Sequence, residues 1–329
     1  MKITQYIFQV FFPYSSKRKN IQTYSSMSTT AKGVIFGIIA AVCYGFVPTF
    51  TLPVSLDNPL ADADCQMNTP SILFYRFIFA AILIGIYMWM RGKSFRVSRG
   101  ELVTLIYLSF LSDGSALFLI SGYKYMTSGV ATVLHFTYPI FTALLMMTFY
   151  HEARKASTLF AVVMAVAGVT VLSWQGDGEA SLTGIIIVLI SAVCYALYLI
   201  RVNRSRVKNM DVYKLTFYVM LIGGLIFGAQ ALQQDEIQPI GNINQALNLA
   251  LLAIVCTLIS NLSLVAAVKN IGSTFTSILG ALEPLTAVVL GLILFSEPIT
   301  ANIVVGLLLI IPSVVIIIIT RGRNETNGK

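Results

Sequence analysis

Apolar residues along this chain come in nearly unbroken runs close to twenty residues long, separated by short polar stretches. Ten such runs are legible, at 33–54, 70–90, 101–121, 128–150, 156–174, 181–201, 212–232, 246–267, 273–296 and 300–320. Each is about the ~20 residues that a helix needs to cross ~30 Å of hydrocarbon. A helix satisfies every backbone group within its own segment, as the bilayer core demands. The pattern therefore predicts an all-α, polytopic membrane protein with ten transmembrane helices. Composition points the same way: 57% hydrophobic and 11% charged residues over 329 positions lie outside the soluble balance.

The formal charge of +8 would suit a nucleic-acid partner until the basic residues are placed. They cluster before span 1 (Lys2, Lys17, Arg18, Lys19, Lys32), after span 2 (Arg91, Lys93, Arg96, Arg99) and after span 4 (Arg154, Lys155). They recur after span 6 (Arg201, Arg204, Arg206, Lys208, Lys214), span 8 (Lys269) and span 10 (Arg321, Arg323, Lys329). Of the 22 Lys and Arg residues, only Lys124 and the intramembrane Arg76 fall elsewhere. The opposite loops carry acids instead, among them Asp57, Asp62, Asp64, Asp177 and Glu179. By the positive-inside rule both termini are expected in the cytoplasm, with the chain multi-pass in the plasma (inner) membrane. Residues 1–32 and 321–329 become cytoplasmic tails. The expected partners are the lipid bilayer and a small-molecule solute, not nucleic acid, with the chain acting as a monomer or homodimer. Cys43, Cys194 and Cys256 lie within spans and Cys65 in an outer loop, without the spacing of a metal site, so no metal or other cofactor is expected.

The chain also repeats itself. GIIAAVCYG at 37–45 aligns with VLISAVCYA at 188–196, which places Tyr44 on Tyr195. TYPIFTALLMMTFYHE at 137–152 aligns with LEPLTAVVLGLILFSE at 282–297, placing Pro139 on Pro284, Glu152 on Glu297 and Tyr138 on Glu283. The same offset brings Lys124 onto Lys269. Five spans, 33–174, are duplicated as 181–320. Because five is odd, the second copy enters the membrane from the opposite face, and the repeats are inverted.

These ten spans, the Tyr-Gly and Tyr-Ala positions of spans 1 and 6, Arg76 in span 2, and the twice-used pattern of Pro, twelve residues and Glu resemble the EamA-type carriers of the drug/metabolite transporter superfamily. The resemblance covers roughly 33–320. It implies a central cavity lined by spans 1, 3, 4, 6, 8 and 9, alternating access, and transport of small metabolites. Relatives that carry nucleotide sugars or phosphorylated sugars place several basic residues within their helices, whereas only Arg76 lies well inside one here.

Candidate site residues follow from position. His135, Tyr138 and Thr142 recur at helical spacing on span 4, and Thr276, Gly280 and Glu283 occupy matching positions on span 9. Tyr44, Tyr195 and Tyr198 offer aromatic faces with polar tips, and Ser115, Ser260 and Asn261 short donors and acceptors. Together with His135 and Tyr138 they form the expected solute site. Arg76, Asp113 and His135 fall at similar depth, so an Arg76–Asp113 pair joined by His135 is expected. Glu283 lies near mid-membrane with no basic partner at its depth, a candidate for proton coupling. Pro139 and Pro284 are expected to kink spans 4 and 9 as hinges, and Glu152 and Glu297 to cap the helices that follow.

An intramembrane aspartyl protease needs two membrane aspartates, and only Asp113 is available; Ser115 with His135 has no third member for a serine mechanism. The chain is not expected to be an enzyme. The expected function is secondary transport of a small organic solute, an amino acid or related metabolite, in the export direction, by alternating access with proton coupling. A facilitative or multidrug/cation efflux carrier of the same superfamily is the alternative within the class, and a receptor or channel the alternative outside it.

Overall fold

Polar residues at the membrane borders start the helices. Ser28 accepts from Ala31 N at 3.1 Å and Asn68 from Ser71 N at 2.8 Å. Ser98 and Glu101 form a reciprocal capping box, at 2.7 and 3.3 Å, around the next start. The computed structural model of the chain describes residues 28–55, 66–122, 124–125, 131, 134–151, 156–172, 181–233, 237–294 and 301–326. Glu152, Glu297 and Cys65 lie outside the described residues, and so do the capping roles expected of the two glutamates.

In chain order the helices are α1 (Thr29–Gly45), α2 (Val47–Thr51), α3 (Thr69–Met90), α4 (Arg99–Gly122), α5 (Tyr138–Phe149), α6 (Ala156–Leu172) and α7 (Leu182–Arg204). There follow α8 (Val212–Gln233), α9 (Ile243–Leu251), a π-helical segment Leu252–Ile259, α10 (Ser260–Ile271), α11 (Ser273–Leu279), α12 (Leu282–Leu294) and α13 (Ala301–Thr326). Beyond an isolated parallel bridge between Ser55 and Met67, the regular structure of the described residues is all helical. Among the described residues six stretches are long and apolar enough to cross a membrane: Thr29–Val54, Thr69–Met90, Arg99–Gly122, Leu182–Arg204, Val212–Gln233 and Ile243–Ile271. Shorter apolar helices, Tyr138–Phe149, Ala156–Gly168 and Val304–Ser313, fall within three of the other expected spans.

Packing follows the duplication seen in the sequence. The most extensive helix contacts are α3 on α8, α6 on α13, α1 on α10 and α4 on α7. If the first half is exchanged for the second, α3·α8 and α6·α13 map onto themselves, while α1·α10 becomes α7·α4. The smaller contacts obey the same exchange, since α1 on α12 corresponds to α7 on α5. All of these contacts cross between halves, so neither half buries its apolar faces alone.

Small residues permit the close crossings. A methyl group on Gly168 of α6 would lie 2.8 Å from Ile310 Cγ1, 2.9 Å from Leu309 Cβ and 3.1 Å from the Gly306 carbonyl on α13. On the basic face, polar bonds stitch the loop after α3 to the loop after α7 and to the first turns of α8. Lys93 pairs with Asp211 at 2.8 Å, the Tyr218 hydroxyl donates to the Phe95 carbonyl at 2.5 Å, and Lys214 donates to the Arg96 carbonyl. Lys269 at the end of α10 donates to the Met210 carbonyl.

The crossings give a direct test. Gly168→Ala must push two helices apart against backbone, and should destabilise the protein by about 1–3 kcal/mol. Gly114→Ala meets nothing nearer than Phe118 at 3.8 Å, so the helix propensity of Ala should leave it neutral or more stable by up to about 1 kcal/mol. Unfolding midpoints of the two detergent-purified variants check the contrast. Equal midpoints would remove the close-packing account.

Candidate functional site

Among the described residues α1 gives way to α2 at Phe46, before Pro48, and two further helices are interrupted before prolines at repeat-equivalent positions. The chain turns at Phe136–Thr137 before α5, and at Gly280–Ala281 between α11 and α12. Pro139 is the second residue of α5 and Pro284 the third of α12. The expected kinks within continuous helices are thus replaced by breaks. Proline is accommodated in the first turn, where its missing N–H has no acceptor to lose. Short bonds bridge the gaps: Thr137 N to the Leu134 carbonyl at 3.1 Å, Ala281 N to Ile278 at 3.1 Å and Glu283 N to Gly280 at 2.9 Å.

Each break presents a polar side chain to the other. Tyr138 opens α5, and its hydroxyl occupies the space that a side chain at Gly280 would fill. Glu283 lies in the first turn of α12, where the positive end of the helix dipole favours a carboxylate. It is within electrostatic reach of Tyr44, Tyr138 and Tyr195, phenols from three different helices. Tyr138 and Tyr195 meet edge to face at 4.7 Å, and the His135 ring lies 5.5 Å from each.

His135 is bound to Ser191, not to a charge. Its Nδ1 lies 2.9 Å from Ser191 Oγ, which itself donates to the Ser115 carbonyl at 2.7 Å. With the hydroxyl hydrogen committed to that carbonyl, Nδ1 must be the donor in the first bond. The other half repeats the contact with roles exchanged: Ser260 Oγ donates to the Ala40 carbonyl at 3.0 Å. Ser260 is the repeat counterpart of Ser115, and Ala40 that of Ser191.

Between these layers lies a cavity of about 20 Å³, room for a water-sized guest. Among the expected residues, Tyr44, Arg76, Ser115, Tyr195, Ser260 and Asn261 line it; Ser112 and Phe77, which sequence reasoning missed, do so as well. Arg76 is 3% exposed, with its Nε donating to Thr257 Oγ1 at 2.7 Å and its guanidinium carbon 5.5 Å from the Tyr44 ring centre. Tyr44 is within electrostatic reach of both Arg76 and Glu283.

Asp113 stands apart, and the expected Arg76–Asp113 pair does not form. The carboxylate faces α8, where a methyl group on Gly223 would lie 2.5 Å from its Oδ1. Neither oxygen has a hydrogen-bond partner among the described residues. Shared depth had suggested the pair, but depth does not set direction, and the two side chains leave their helices toward different neighbours. Tyr198, fully buried, lies within electrostatic reach of Asp113 and stacks on Tyr195 at 6.3 Å, away from the cavity lining. Among the described residues no three His, Cys, Asp or Glu side chains group as metal ligands.

A bundle of apolar helices long enough to cross a membrane, with interrupted helices and a small polar cavity lined from both halves, fits a multi-pass membrane transporter. The chain belongs to the EamA-like transporter family, which residues 31–174 and again 182–319 match. It is 27% identical over 202 residues to an uncharacterized transporter of Archaeoglobus fulgidus, covering 61% of this chain and 71% of that one. It is 22% identical over 217 residues to the uncharacterized inner membrane transporter YedA of Escherichia coli K12, covering 66% and 70%. A solved crystal structure of a protein at 14% identity superposes with a TM-score of 0.75 over 90% of this chain and 99% of the other, a likeness of fold.

Because Arg76 and Asp113 share no partner, Arg76→Gln and Asp113→Asn should change stability independently. Their effects are expected to add within about 0.5 kcal/mol in the double variant. Chemical or thermal unfolding of the three variants reads this out. Mutual rescue would restore the pair.

Proposed function

We propose that the protein is a secondary carrier that exports a small organic solute, an amino acid or related metabolite, by alternating access. Its ten spans form two inverted five-helix repeats with both termini in the cytoplasm. One observation carries the reading: the cavity lies where the two halves meet, beside two helices that break at repeat-equivalent positions. Interrupted helices near mid-membrane are how transporters expose helix ends and polar groups to a solute. The cavity, at about 20 Å³, has room for a water-sized guest, and in the proposed cycle its walls part to load the solute. Tyr138 against Gly280 links the two broken helices, and Pro139 and Pro284 mark where each bends. The solute site is Tyr44, Ser115, Tyr195, Ser260 and Asn261, with His135 and Tyr138 behind them, and Tyr198 supports Tyr195.

A cation efflux carrier is favoured by one feature, the three phenols around Glu283, since phenol faces and a carboxylate suit an ammonium group. An untargeted comparison of metabolites inside and outside cells with and without the protein separates the readings. Amino acids or close derivatives should accumulate outside expressing cells. A change confined to lipophilic cations would move the assignment to cation efflux, and no change in any solute would overturn the carrier reading.

Proton coupling is assigned to Glu283, which is within electrostatic reach of Tyr44 of α1, Tyr138 of α5 and Tyr195 of α7. Glu283→Gln keeps the volume and removes the ionisation. It should abolish accumulation driven by a pH gradient in proteoliposomes while sparing solute exchange. His135→Gln, whose ring donates to a serine, should keep the pH-driven step. Full proton-driven transport by Glu283→Gln would make Glu283 structural.

A further inference from the structure

We propose that Arg76 is the receptor for an anionic group of the solute, a carboxylate, and that Thr257 on the π-helical segment is the residue that positions it. The inference rests on the carrier reading and specifies the chemistry of the cavity. A guanidinium stays charged at any pH the cell meets, and an uncompensated charge within the bilayer is costly. Arg76 is nonetheless buried, and no carboxylate of the described residues lies within ion-pairing distance of it. The acid expected to neutralise it, Asp113, faces Gly223 instead, and Glu283, though within electrostatic reach of Tyr44 as Arg76 is, forms no ion pair with Arg76. Arg76 is also the cationic side chain of the cavity lining, where the other polar groups are hydroxyls and an amide. A single guanidinium in such a cleft suits one carboxylate; a phosphate would call for more positive charge.

The guanidinium is held in one orientation. Its carbon lies 5.5 Å from the Tyr44 ring centre and 5.6 Å from that of Phe77, which restricts its plane. Its Nε donates to Thr257 Oγ1 at 2.7 Å. That oxygen donates its own hydrogen to the Leu252 carbonyl, five residues back, at 3.0 Å, so the lone pair aimed at Arg76 is fixed. The five-residue reach is the register of the π-helix, a form that is uncommon and recurs at functional sites. Asn261, another cavity residue, donates through Nδ2 to the Thr257 carbonyl at 2.9 Å and so ties the same turn to the site. With Nε committed to Thr257 and the guanidinium also hydrogen-bonded to the Tyr44 hydroxyl, the remaining Nη hydrogens are the ones offered to a carboxylate, as a charge-assisted bond.

The test uses the purified protein with a probe panel of the common L-amino acids and their carboxamides, which differ only in the anionic group. Thermal stabilisation reads binding, and counterflow in proteoliposomes reads transport. At least one acid should stabilise the protein and drive counterflow, with its amide about tenfold weaker or worse. Thr257→Val should weaken that acid about tenfold and leave the amide unchanged, while Thr257→Ser restores the acid. Arg76→Lys, which keeps the charge but loses the fork, should fall between wild type and Arg76→Gln. Amides that bind as well as acids, a Thr257→Val loss equal for both, or a panel in which no acid binds would overturn the site. Counterflow with no preference for acids leaves the carrier reading intact and removes the site; preferential acid binding without counterflow does the reverse.

Discussion

Inside a bilayer every backbone N–H and C=O must find a partner within the protein, and this constraint decides where the bundle can be functional. A continuous helix meets it automatically and offers a solute little beyond side chains. A broken helix violates it unless protein surrounds the break. Here the turns at Phe136–Thr137 and Gly280–Ala281 are bridged by short backbone bonds and covered by one another's neighbours, with the Tyr138 hydroxyl seated on Gly280. Of the candidate site residues, Tyr138 and Glu283 stand at these two places, while Arg76, Ser115, Ser260 and Asn261 face the cavity from other helices.

The halves solve this problem in common. Ser191 of α7 donates to the Ser115 carbonyl of α4, and Ser260 of α10 donates to the Ala40 carbonyl of α1. The contact recurs at matching positions of the two halves, with the hydroxyl on the opposite member of the pair, so what the halves share is a satisfied hydrogen bond at a helix crossing and not a residue type. The two sides have diverged where chemistry is needed: His135 occupies the Ser191 side, and Arg76 and Thr257 occupy the side of Ser260.

Much of this was legible in the sequence, because the features concerned lie along one dimension. Apolar run length marked the helices, and the register of Pro139 on Pro284 located the interruptions. Five of the residues expected at the solute site line the cavity together, with Arg76, expected as a buried charge, beside them. Errors arose where direction around the helix axis mattered. Arg76 and Asp113 share a depth, yet one side chain points to Thr257 and the other to Gly223. Tyr198 is three residues from Tyr195, close enough to stack on it but turned toward Asp113. Thr257 was invisible for a deeper reason: its aim depends on a π register, and no rule of 3.6-residue periodicity points to it. Ser191 did carry a signal, since it sits in the repeated segment opposite Ala40.

The exchange symmetry of the packing also bears on how such a bundle can change shape. In the proposed cycle, α3 on α8 and α6 on α13 are each related to themselves by the exchange, so they can remain packed in both end states. The contacts α1 on α10 and α4 on α7 are related to one another, so loosening one while tightening the other converts each state into its counterpart. Arg76 on α3 reaches Thr257, just before α10, whereas Tyr44 lies on α1. Its contacts thus join a helix of the invariant pair to the pair that opens. A solute group bound to that guanidinium acts at the boundary between what stays and what moves, where a few hydrogen bonds can bias one state over the other.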